Sequence, residues 1–151
     1  MWLDATLAYL HLLAILSWVV FLSSTAALAR AEWLNAAVVA RLQVVARIAG
    51  AAGWLVLASG LARWWFGAKG AAWTGAQPLL WAKLALVAAM LAEGWRTQRT
   101  LRQWQAALDA GGALPAADAV AALRRRVMRA SHLMLLLPLA GVLLARGLLT
   151  R

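Results

Sequence analysis

The sequence predicts an all-α integral membrane protein, folded as an antiparallel four-helix bundle, on three observations. Hydrophobic residues make up 65% of the 151-residue chain and charged residues 13%, against about 45–50% and 25% in soluble globular domains. Apolar runs of about 20 residues recur along the chain, each long enough to cross a hydrocarbon core of about 30 Å. Arginines gather in the connections between those runs, where the orientation signals of membrane proteins lie. At this length, residues 1–151 read as a single domain.

The first helix is expected at about 3–27. Its start, Met1-Trp2-Leu3-Asp4, lacks the positive n-region of a signal peptide, and its apolar stretch is too long for one. Asp4, His11, Trp18 and Thr25 recur at every seventh position and mark a candidate inward face. The second helix is expected at about 43–66, with Ala46, Gly50, Gly53 and Gly60 giving it a side of little bulk. Such a side lets another helix, or a flat ligand, approach the backbone closely. The loop Trp64 to Trp73, rich in aromatic residues and glycine, suits a membrane interface.

The third helix is expected at about 79–98, with Pro78 at its first turn, where a missing N–H costs little. Lys83 follows four apolar residues and precedes nine more. A charge at the centre of such a segment costs roughly 2.5–3.5 kcal/mol, and less near its ends, so it calls for a partner, a water path or a snorkelling route. This helix is expected to continue past the membrane through Trp104 and to end at Gly111-Gly112. Pro115 then opens a helix that leads into the fourth span, about 128–149, completing a cytoplasmic helical hairpin. Pro138 lies inside that span, where it is expected to kink it.

Lysine and arginine positions set the orientation. Arg30, Arg41 and Arg47 follow the first span, and Arg96, Arg99, Arg102, Arg124, Arg125, Arg126 and Arg129 surround the third connection. The other side has Arg63, Lys69, Arg146 and Arg151. By the positive-inside rule both termini face outward and the first and third connections are cytoplasmic. These flanking arginines account for the net charge of +10, so no nucleic-acid partner is expected, and the ten tryptophans suit the headgroup level. Cysteine is absent, which excludes disulfides, thiolate chemistry and cysteine-held metal clusters. No P-loop, dinucleotide fingerprint, metal-ligand cluster or nucleophile–base motif is present.

Helical rise gives depth. His11 falls roughly 12 Å and Lys83 roughly 6 Å below the outer end, so both suit one outer-half cavity if their faces converge. Arg47, Glu93 and His132 each fall about 6–8 Å from the cytoplasmic ends of their helices, where opposite charges favour a structural polar cluster. A single heme held by both His11 and His132 is disfavoured, since the two lie in opposite leaflets. Each feature has a plainer alternative: packing for the histidines, snorkelling for Lys83, and helix packing for the glycines of the second helix.

Several segments also carry a family resemblance. They are Ala8-Tyr9-Leu10-His11, Gly60-Leu61-Ala62-Arg63, Phe66-Gly67-Ala68-Lys69-Gly70, Pro78-Leu79-Leu80-Trp81-Ala82-Lys83 and Leu144-Ala145-Arg146-Gly147. Together they resemble an uncharacterised bacterial four-helix membrane family of the CopD-like superfamily, over essentially the whole chain. More distantly, the chain is similar to the HemJ-type protoporphyrinogen oxidases, in which a first-helix histidine and a lysine early in the third helix match His11 and Lys83. That resemblance implies heme b or a porphyrin, with His11 as axial ligand to the heme iron and Lys83 beside it; with Trp18 on the inward face of the first helix and Gly53 on the small-residue side of the second, the expected pocket lies between helices 1–3. The resemblance also implies a place in the bacterial cytoplasmic membrane and, if the chain is an enzyme, an oxidoreductase of that type. The HemJ-type pattern departs at Trp81, where those proteins usually have histidine, and at Ser131-His132, where theirs reads Asn-Glu-x-Pro-Thr. Two further readings stand beside it. One is a non-catalytic accessory subunit of a larger membrane complex, or a homo-oligomer; the other is a small transporter or copper-handling protein, for which soft ligands are scarce.

Overall fold

The computed structural model describes residues 2–68 and 70–146. Met1, Lys69, Gly147 and Arg151, and with them the expected end of the fourth span, lie outside the described residues. The described residues form helices α1 (Trp2–Leu28), α2 (Ala36–Phe66), α3 (Ala71–Gly75), α4 (Pro78–Asp109), α5 (Ala117–Met134) and α6 (Leu136–Ala145), with a 3₁₀ turn at Ala31–Trp33. Four helical segments are long and apolar enough to span a membrane: α1, α2, α4 and the combined α5–α6 segment, Ala117–Leu143. The 31 residues of α2 and 32 of α4 rise about 47 Å each, so both outrun a hydrocarbon core of about 30 Å.

Local chemistry sets the ends. The second helix starts at Ala36, seven residues earlier than the sequence reading placed it, because Asn35 caps it: its side chain accepts a hydrogen bond from the Val38 N–H at 3.0 Å. Polar Arg41 and Gln43 end the apolar run but not the helix. Pro78 opens α4 as expected. Its last turn closes in a Schellman motif: the Gly112 N–H bonds the Ala107 carbonyl at 2.9 Å and the Gly111 N–H bonds that of Leu108 at 3.0 Å. Gly111 there has φ +78°, a left-handed conformation that suits glycine.

The fourth span is interrupted. α5 stops at Met134 and α6 restarts at Leu136. Pro138 has no N–H to offer the Met134 carbonyl, and the Leu135 N–H turns back to the His132 carbonyl at 3.1 Å. The disturbance foreseen at Pro138 therefore falls three residues ahead of it, as a local loss of helical hydrogen bonding at Leu135, whose backbone stays in the right-handed helical region (φ −65°, ψ −23°).

The helices close a ring, with α1 against α2 and α5, and α4 against α2, α5 and α6. The inward face of α1 is His11, Ala14, Trp18, Leu22 and Thr25, so three members of the seven-residue pattern are buried as expected. One core, including Trp18, Val56, Met90, Val127 and Leu137, fills the spanning region. A second, Ala29, Leu42, Ala46, Leu101 and Leu123, sits where the arginine-bearing hairpin of α4 and α5 meets the first connection. Two glutamines fasten α2 to α4 reciprocally. Gln43 Nε2 donates to the Leu101 carbonyl at 3.1 Å, and Gln98 Nε2 donates to that of Ala46 at 3.2 Å.

Candidate functional site

His11 and Lys83 line one cavity of about 50 Å³, enclosed by residues of α1, α2, α4 and α6. The convergence expected from their depths is therefore present, and the fourth span completes the wall. His11 is only 8% exposed. Its Nδ1 lies 2.8 Å from Ser59 Oγ, and the Ser59 hydroxyl donates to the Leu55 carbonyl at 2.6 Å. With its proton so used, Ser59 accepts from Nδ1–H, and the lone pair stays on Nε2. A Cβ at Gly60 would stand 3.3 Å from His11 Cε1, so the absence of a side chain there makes room for the imidazole.

Lys83 is half-buried and extends toward α6, where a Cβ at Gly141 would stand 3.6 Å from Nζ. Arg63, in the last turn of α2, adds a second cation whose charge bears on both His11 and Lys83. Among the described residues no aspartate or glutamate lines the cavity. The other walls are apolar, among them Leu80, Val87 and Leu137. Above lies an aromatic group: Trp64 and Trp81 meet edge-to-face at 5.7 Å. Their indole N–H groups bond the carbonyls of Ala71 and Gly75, at 3.0 Å each. Trp81 thus fastens the short helix α3 and is not among the cavity's lining residues.

Trp18 and Gly53 belong elsewhere. A Cβ at Gly53 would stand 2.9 Å from the Trp18 ring and 2.8 Å from Leu91 Cδ2. Gly53 is therefore a helix-packing position, filled by Trp18 and Leu91, and not a slot for a flat ligand. Trp18 instead lines a second, larger chamber of about 450 Å³.

The expected Arg47–Glu93–His132 cluster does not form. Among the described residues, Glu93 pairs with Arg96 at 2.5 Å and with Arg126 at 3.5 Å, while Arg47 and His132 are exposed. The reason is angular. Arg47 is one residue beyond buried Ala46, and His132 falls midway between buried Ala130 and Met134, so each points away from the interior although its depth is right. His132 lines a basic groove with Arg125, Arg126 and Arg129 and shares no cavity with His11.

The sequence reading missed Ser59, Leu137 and Gly141. Ser59 had a usable signal, a hydroxyl on the residue before Gly60 within an apolar run. Gly141 had none, because its relation to Lys83 depends on how the broken fourth span packs.

The donor set suits a heme or porphyrin in part: a buried imidazole with a free Nε2 and an orienting partner, beside a cation for a carboxylate. The space does not, since about 50 Å³ is far below the roughly 300–1,000 Å³ of pockets for molecules of that class. In this packing a porphyrin has no room beside His11. Among the described residues there is no group of three or more His, Cys, Asp or Glu able to hold a metal ion.

The family comparison agrees with a membrane protein. The profile of a family described as "Predicted membrane protein (DUF2214)" matches residues 3–148. The chain belongs to this family, and so is a multi-pass membrane protein at home in a lipid bilayer. Neither curated proteins nor solved structures gave a match.

Proposed function

We propose that, as a member of this membrane family, the chain is a binding protein that takes an anionic group into its His11–Lys83 cavity. One observation carries the reading: an imidazole and an ammonium converge on an apolar cavity that no carboxylate lines. An unpaired cation within a membrane is costly, and such groups mark ligand or ion pathways. Lys83 supplies the countercharge, with Arg63 adding to the field. His11, oriented by Ser59, presents Nε2 to hold or receive a proton. About 50 Å³ admits a small acid, or the acidic group of a larger ligand that lies mostly outside.

Thermal unfolding of the purified protein in detergent tests this with acetate and phosphate as probes, at constant ionic strength against chloride. Either anion should raise the midpoint of the wild type and leave Lys83→Met unchanged. Equal response in both proteins, or none in either, removes the proposal. Without ligand, Lys83→Met should be the more stable protein, by roughly 1–3 kcal/mol, because a half-buried charge with no ion-pair partner among the described residues is gone.

A heme or porphyrin remains the finer reading that the HemJ-type resemblance suggests, and the Ser59-held imidazole favours it. Its carboxylates suit Lys83 and its iron suits Nε2, but the ring enters only if the α6 wall withdraws. Expression with ample heme decides this reading: a Soret band abolished or shifted in His11→Ala supports it, and a colourless wild type rejects it while leaving the anion test open. In the orientation expected from the arginines, this cavity faces the outer leaflet of a bacterial cytoplasmic membrane.

A further inference from the structure

A larger feature lies toward the arginine-rich end. The chamber of about 450 Å³ is bounded by α1, α2, α4 and α5, and its walls are mostly apolar: Trp18, Leu22, Ala49, Leu91 and Val127 among them. Apart from Leu57 it shares no lining residue with the His11–Lys83 cavity. Two of its lining residues, Trp54 at 63% and Trp95 at 61%, are exposed, so the chamber opens sideways onto the surface of the bundle. In a bilayer that surface meets acyl chains.

The polar end of the chamber is the Glu93–Arg126 ion pair, 3.5 Å apart. The same two residues, with Met90 and Ala130, line an adjoining cavity of about 210 Å³ that also reaches Arg129. Arg126 and Arg129 in turn line the basic groove of about 530 Å³ with Arg125 and His132. An apolar chamber therefore runs past a single ion pair into a groove with three arginines. Glu93 is paired twice over, with Arg96 and Arg126, while Arg125 and Arg129 make no ion pair among the described residues. The groove thus keeps cationic groups for an external anion. Basic pockets between membrane helices hold anionic lipid headgroups in this way.

We infer that this continuous surface binds one anionic phospholipid, with an acyl chain in the Trp18 chamber and the phosphate on Arg125 and Arg129. Arg126, paired with Glu93, stands at the junction of tail and headgroup. A zwitterionic lipid has the same tails but carries its own cation beside the phosphate, so it meets the groove less favourably. Free phosphate has the charge without the tail. The composite site distinguishes the lipid from both.

The test uses the full chain, stripped of lipid in detergent and titrated with phosphatidylglycerol, phosphatidylcholine or inorganic phosphate, with bound lipid counted by native mass spectrometry. Wild type should keep one phosphatidylglycerol, bind phosphatidylcholine about tenfold more weakly, and show no response to phosphate. Gly94→Leu fills the chamber: Gly94 lines it, and a Cβ there meets nothing within 4 Å, so the leucine enters open space on a helix that favours it. It should lose both lipids. Arg125→Gln with Arg129→Gln should weaken phosphatidylglycerol about tenfold and leave phosphatidylcholine unchanged. Unaltered phosphatidylglycerol in Gly94→Leu, equal binding of the two lipids by wild type, or saturation by phosphate alone overturns the inference. If Gly94→Leu does not fold, the wild-type comparison of the three probes decides.

Discussion

Gly53 and Gly94 present the same residue type on facing helices with opposite consequences. At Gly53 an added Cβ meets the Trp18 ring at 2.9 Å and Leu91 Cδ2 at 2.8 Å, so two packed side chains on different helices have to shift at once. Overpacking of this kind costs about 1–3 kcal/mol, more than the helix-propensity gain of about 1 kcal/mol for replacing glycine by alanine. Gly53→Ala should therefore lower the thermal midpoint in detergent. At Gly94 nothing lies within 4 Å, so only the propensity gain remains and Gly94→Ala should raise it. A drop in both proteins would mean that the open space at Gly94 is not there. His11 shows the same dependence on neighbours: its ring is oriented by one hydroxyl, Ser59, and given room by one missing side chain, Gly60. No composition or period announces such a pair.

At the level of elements, the helices were legible wherever a local rule marks them. Pro78 starts α4 and Gly111-Gly112 ends it, as the sequence suggests, and the extension of α4 beyond the apolar run is likewise readable. Gly111→Ala should cost about 1–2 kcal/mol, the penalty for a left-handed residue with a Cβ, while leaving helix content unchanged by circular dichroism. A loss of helix content would mean that the turn directs the hairpin and does not simply close it. Two element features were not legible. The start of α2 depends on Asn35, a single cap outweighed by the drop in hydropathy after the first span. The α5–α6 break follows from Pro138, but where the chain yields, at Leu135, is decided by packing. The failed Arg47–Glu93–His132 cluster belongs here too: rise per residue gave depth, and only rotation about each helix axis determines which charges meet. Glu93 took its partners from its own helix, Arg96, and from its neighbour, Arg126.

For the whole molecule, hydropathy and arginine positions specify a four-span bundle with unlike ends. One end carries the Trp64–Trp81 group and the His11–Lys83 cavity; the other carries the arginine hairpin and the basic groove. From the positive-inside rule the hairpin is expected in the cytoplasm. The chain has no cysteine, so single introduced thiols report topology directly. In intact cells an impermeant maleimide should label Ala76→Cys, and should label Ala113→Cys only after the membrane is opened; both residues are exposed. The reverse pattern would invert the orientation and move the His11–Lys83 cavity to the inner leaflet.

The break at Leu135 has a mechanical consequence. The ten residues of α6 rise about 15 Å, half the thickness of the hydrocarbon layer. A continuous fourth helix would act as a lever, carrying any tilt at one membrane face through to the other. At Leu135 the backbone stays in the right-handed helical region (φ −65°, ψ −23°), but the hydrogen bond that Pro138 cannot donate is missing, so the span is softest there. Bending there would move the segment that carries Leu137 and Gly141 over Lys83 more than the segment that carries Arg125 and Arg129, which is packed on α1 and α4. If both proposals hold, exchange at the His11–Lys83 cavity would be decoupled from lipid bound at the opposite face.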